Sequence, residues 1–142
     1  MSSEGLKKKF VEQVKLRAYD DKYVDKAEEK EILTSAIDDG ISVASARAVL
    51  MQVCEQNGYI LESKLVADAK DLLDTFVGND GKVDEKEFND TVATLRKRVD
   101  GKKTDLELKR LLLTMMQEHQ MRAKTGMMSN WHKKALKEAG LA

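Results

Sequence analysis

The residues with the clearest chemical potential are the acids of Asp80-Gly81-Lys82-Val83-Asp84-Glu85-Lys86-Glu87. Calcium and magnesium are hard cations that take oxygen ligands, and calcium needs about six to eight of them from a loop able to wrap the ion. Asp80, Asp84, Glu87 and the backbone carbonyl of Lys82 are the candidate donors for Ca2+ or Mg2+. The same spacing has a second use. Asp84 and Glu87 stand as the N-cap and third residue of a helix, a capping box that needs no ion. Asp25 and Glu28 are spaced the same way.

A second cluster is apolar. Met115, Met116, Met121, Met127 and Met128 lie close in sequence, followed by Trp131 and Leu136. Lys124, Lys133, Lys134 and Lys137 flank them. Methionine gives an adaptable apolar surface and tryptophan a large anchor, so Met127, Met128, Trp131 and Lys134 are candidate contacts for another protein. The alternative is a last helix folded back to cover a groove between earlier helices.

Other chemistry finds little support. His119 and His132 are the two histidines and Cys54 the one cysteine, with no His-x-x-x-His or Cys-x-x-Cys spacing for zinc. Cys54 sits on an apolar stripe, as a packing residue does. No nucleophile and base are recognisable by spacing, and there is no glycine-rich phosphate loop. The chain reads as a non-enzyme.

The elements that must hold these residues are helices. Apolar residues recur at helical spacing in about seven segments, punctuated by glycine and capping residues. The pattern predicts helices from about Leu6 to Ala18, from Asp25 to Gly40, and from Ser42 to Asn57. Further helices follow from Leu61 to Val77, from Asp84 to Val99, from Asp105 to about Ala123, and a short one carrying Trp131. Leu16, Ile37 and Phe76 are expected on apolar faces. Period-two alternation is not sustained anywhere, so no substantial sheet is expected. The fold class is all-α, a single compact bundle of six or seven short helices. Residues 1–123 form the helical core domain, and 124–142 carry the Met/Trp helix.

Composition bounds the function. Of 142 residues, 42% are hydrophobic and 35% charged, which suits a folded helical domain. Net charge is zero and the pI is near 6.7, which argues against a dedicated nucleic-acid binder. A helix-turn-helix around Gly40 would offer Arg47 alone as a base on its second helix. No apolar run approaches the roughly 18–20 residues of a membrane span. A single cysteine and the lack of a signal-peptide pattern fit the cytoplasm.

Set Gly81 at the sixth position of a calcium loop and the second half resembles an EF-hand, with Asp80 fifth, Lys82 seventh, Asp84 ninth and Glu87 twelfth. Phe88 then falls where the following helix carries an aromatic. Positions one and three are Phe76 and Gly78, which bring no side-chain oxygen. This resemblance implies a calcium-regulated switch.

The turn also recurs. Asp21-Lys22-Tyr23-Val24-Asp25-Lys26-Ala27-Glu28 and Asp80-Gly81-Lys82-Val83-Asp84-Glu85-Lys86-Glu87 both read Asp-x-x-Val-Asp-x-x-Glu, 59 residues apart. A long-range pair of acidic turns in a helical chain resembles the tellurite-resistance TerB-like domains. Ile37-Asp38-Asp39-Gly40-Ile41-Ser42 resembles the turn after their first acidic helix. The resemblance covers roughly Tyr19 to Val99. It implies a helical bundle, divalent-cation binding through the acidic turns, and an interaction role linked to membranes or stress. Lys22 stands where the first turn would carry glycine. The reading reached is a non-enzymatic interaction (adaptor) module with weak cation binding. A calcium switch is the alternative, and a DNA-binding helix-turn-helix is the weaker third.

Overall fold

The computed structural model describes residues 3–78, 80–126 and 129–142. The chain is all-α, with seven helices and only two-residue strands among the described residues. It divides into two compact units, Met1–Lys64 and Leu65–Ala142.

The first unit contains α1 (Ser3–Arg17), β1 (Tyr23–Val24), α2 (Lys26–Asp38), α3 (Val43–Asn57) and β2 (Ile60–Leu61). Strands β1 and β2 pair in parallel, Tyr23 with Ile60 and Val24 with Leu61. Phe10, Val14 and Ala18, spaced by four, bury one face of α1. Ile32, Leu33 and Ala36 of α2, and Ala46, Leu50, Val53 and Cys54 of α3, join the same core. Each large aliphatic side chain so buried contributes about 1.5–3 kcal/mol.

Helix starts are specified locally. Asp25 Oδ1 accepts the Glu28 N–H at 2.8 Å, and Glu28 Oε1 accepts the Asp25 N–H at 3.3 Å. Ser42 caps α3 by accepting the Ser45 N–H at 3.2 Å. Gly58 ends α3 at φ 69, a left-handed conformation open to glycine without steric cost.

The second unit begins within α4 (Glu62–Phe76). It continues through β3 (Lys82–Val83), α5 (Glu85–Val99), α6 (Asp105–Glu118), β4 (Arg122–Ala123) and α7 (Trp131–Glu138). Strands β3 and β4 are again parallel, Lys82 with Arg122 and Val83 with Ala123.

The order helix, short strand, helix, helix, short strand thus occurs twice, and the acidic-turn repeat of the sequence is its local signature. Core positions correspond. Phe10 and Val14 match Ala69 and Leu73, and Leu33 and Ala36 match Val92 and Leu95, at the 59-residue offset. Ala46, Leu50, Val53 and Cys54 match Leu108, Leu112, Met115 and Met116, now 62 residues apart. All are buried. The extra length lies in α5 and the turn after it, which exceed α2 and its turn.

Some expectations are corrected. Helix α6 stops at Glu118, not near Ala123, because Gln120 turns left-handed at φ 54 and the chain then pairs with β3. Leu16 is 76% exposed, opposite the Phe10–Val14–Ala18 face of α1. Ile37 and Phe76, at the ends of α2 and α4, are also exposed.

Candidate functional site

The acidic turn of the second unit is a finished helix start. Asp84 Oδ1 accepts the Glu87 N–H at 2.7 Å, and Glu87 Oε1 accepts the Asp84 N–H at 2.9 Å. Val83, before the cap, and Phe88, four residues into the helix, are both buried, as a hydrophobic staple requires. Gly81 sits at φ 65. Asp80 is exposed, and its Oδ1 accepts the Lys82 N–H at 3.1 Å. The Lys124 ammonium, carried in beside β4, lies 3.5 Å from Asp80 Oδ2. These neighbours hold the Asp80 carboxyl below its ordinary value, the Lys82 backbone bond most and the Lys124 charge after it.

Three of the four candidate cation donors therefore have other partners. Asp84 and Glu87 bond each other's backbone, and Asp80 serves its own turn and a lysine. Among the described residues, no group of three or more His, Cys, Asp or Glu side chains is placed to hold a metal ion. The β3–β4 pairing also sets the turn apart from an EF-hand pair. Its strand partner is the chain after α6, not the equivalent acidic turn.

The turn at Asp21–Glu28 repeats this construction. Asp21 Oδ1 accepts the Tyr23 N–H at 3.1 Å, as Asp80 does for Lys82. Lys22 takes φ 58 where Gly81 takes 65. Its ammonium lies 5.8 Å from the Tyr19 ring centre and 5.7 Å from that of Tyr59, within reach of a cation–π attraction to both. Burial raises the Glu28 carboxyl above its ordinary value, outweighing the Asp25 backbone bond that lowers it.

At the other predicted site, Trp131 is buried, not presented. Its ring centre is 5.2 Å from that of Phe88, and Nε1–H donates to the Lys124 carbonyl at 3.0 Å. Helix α7 packs on α6. Lys134 is exposed, and Met127 and Met128 lie outside the described residues. Trp131 thus follows the folded-back alternative, with its one polar atom satisfied.

A surface that is not among the candidate sites of the sequence lies at the end of α1. Leu16 and Tyr19 are 76% and 72% exposed, three residues apart, and Lys22 links Tyr19 to Tyr59. Helical periodicity alone could have found it, since Leu16 falls outside the Phe10–Val14–Ala18 register.

Cys54 is buried, and desolvation, with the nearby Glu29 charge, pushes its thiol up to about 11. Such a thiol holds little of the reactive thiolate at neutral pH. An open depression of about 390 Å3 is lined by Arg17, Lys30, Glu31, Thr34, Ser35 and Asp38, with Arg17 and Glu31 paired across it. No described helix is long and apolar enough to cross a membrane.

No family model matches the chain, and no curated protein or solved structure matches it.

Proposed function

We propose that this chain is a non-enzymatic, protein-binding adaptor that docks its partner on the outer end of α1. The observation that carries the reading is the exposure of Leu16 and Tyr19 side by side, with Tyr59 drawn to the same place through Lys22. Single exposed apolar residues are ordinary, but neighbouring large ones with an aromatic partner supply the anchor of an interface. The duplicated turns keep the TerB-like resemblance within the proposal, as a layout.

In this reading the Asp80–Glu87 turn is a helix start, supported by its two reciprocal cap bonds and by Lys124. A cation that binds the folded state would raise the melting temperature. Millimolar calcium or magnesium should give no such rise, and a rise abolished by Asp80→Asn with Glu87→Gln would restore the calcium-switch reading.

The main test is a pull-down with the intact chain against Leu16→Ser, Tyr19→Ser. Partner capture should disappear while the circular dichroism stays unchanged. Capture that survives this variant and is lost with Trp131→Ala would move the interface to α7. Absence of any specific partner would sink the adaptor reading.

A further inference from the structure

The helix that follows the closing strand is held differently in the two repeats. In the first, Tyr23 Oη donates to Glu62 Oε2 at 2.6 Å, and both side chains are buried. Ser63 Oγ donates to Glu29 Oε1 at 3.1 Å. In the second, the residue equivalent to Glu29 is Phe88, and it meets Trp131 ring to ring. Both contacts join the first turn of the next helix to the capped helix of its repeat.

We infer that Tyr23–Glu62 and Glu29–Ser63 form a polar latch whose release lets β2 and the first turn of α4 open locally from the first repeat. The physical ground is what each closure regains in water. Two carboxyls and two hydroxyls released together are hydrated at once, so opening recovers most of their hydrogen bonding. A tryptophan released from Phe88 exposes apolar surface with no such return. The strand beside the latch adds little hold, since β2 has two residues and its Ile60 N–H donates to the Lys22 carbonyl at 2.9 Å. Short elements tied by few bonds are where native proteins open locally.

The chain carries its own reporter. Cys54 is the one cysteine, 3% exposed, and shares the buried cluster with Leu61, the residue before Glu62. Tyr59 N–H, two residues from Leu61, donates to the Cys54 carbonyl at 2.8 Å. Opening of β2 therefore uncovers the region of the thiol, and global unfolding is not required.

The test is the rate at which a thiol-reactive disulfide reagent labels Cys54 in the intact protein. Labelling through the latch should be nearly independent of urea at low concentration, because little surface is exposed. Tyr23→Phe removes the hydroxyl and keeps the ring, and should speed low-urea labelling about tenfold, the effect of losing one ordinary hydrogen bond. Trp131→Phe should lower the urea midpoint without that acceleration. The latch is overturned if Tyr23→Phe leaves the rate unchanged, or if Trp131→Phe speeds it equally. It is also overturned if labelling of the natural chain follows urea as steeply as global unfolding does.

Discussion

Tyr23 in the first repeat donates a hydrogen bond from its hydroxyl to Glu62, while Phe88 in the second lies against an indole. The helix starts beside them are nearly superimposable in their bonding. Asp25 with Glu28 and Asp84 with Glu87 form the same reciprocal cap, and Asp21 and Asp80 each accept a backbone N–H two residues on. The frame is shared, and the contacts each repeat makes to the next helix are not. The comparison teaches that the acidic turns belong to the frame. They occur in both repeats whichever chemistry closes the repeat, as helix-starting residues do.

The largest effect expected from disturbing this contrast is at the aromatic closure. Trp131→Ala should cost about 3–5 kcal/mol, as buried aromatic truncations do, with urea unfolding as the measure. The matching change in the first repeat, Tyr23→Phe, should cost about 1–3 kcal/mol, since it leaves the buried Glu62 carboxyl without that donor. Equal costs would erase the distinction between the closures.

The next effect concerns the left-handed turns. Just ahead of each of its two strands a repeat has a left-handed residue, and each repeat places glycine at only one of these two positions. The first repeat has Lys22 at φ 58 and Gly58 at φ 69, and the second has Gly81 at φ 65 and Gln120 at φ 54. A side chain in this region costs about 1–2 kcal/mol, part of which glycine gives back in unfolded-chain entropy. Gln120→Gly should therefore raise stability by about 0.5–1 kcal/mol in thermal unfolding. Lys22→Gly should gain less, because it also removes the contacts with Tyr19 and Tyr59.

The smallest effect is in pH dependence, and its sign differs between the repeats. Burial raises the Glu28 carboxyl above 4.5 in the folded chain. The folded state then holds that proton more tightly than the unfolded state, so the Glu28 contribution improves on acidification and declines as pH rises through this range. Asp80, Asp105 and Glu107 are lowered, by the Lys82 backbone bond, the Arg96 guanidinium and the Thr104 backbone bond respectively. Their contributions are present above the ordinary carboxylate range and are lost as pH falls through the lowered values. Carboxyl titrations followed by NMR should place Glu28 on the opposite side of its ordinary value from the other three.

Much of the fold was legible in the sequence because the helices announce themselves locally. The capping-box spacings at Asp25 and Asp84, and apolar residues recurring at helical spacing, give helix type and start directly. The end of α6 was not legible. Gln120 has no steric excuse for a left-handed turn, and only the pairing of β4 with β3 explains it. The turn that carries the candidate cation donors was legible from its spacing. Their occupation by backbone N–H groups and by Lys124, which is 44 residues from Asp80, depends on tertiary packing. The Met/Trp segment showed the same limit. Composition marks Trp131 as an anchor, but only the position of Phe88 says that it anchors its own chain.

The paired strands bear on how the molecule reaches this structure. Tyr23 meets Ile60 and Lys82 meets Arg122, so each repeat is a closed loop of about 40 residues with two helices between its ends. Closing a loop of that length costs entropy that two residues of parallel pairing repay poorly. The helices, whose caps and i to i+4 bonds are local, form first and bring the strand segments near. Each parallel pairing is non-local in sequence and is then expected late in folding.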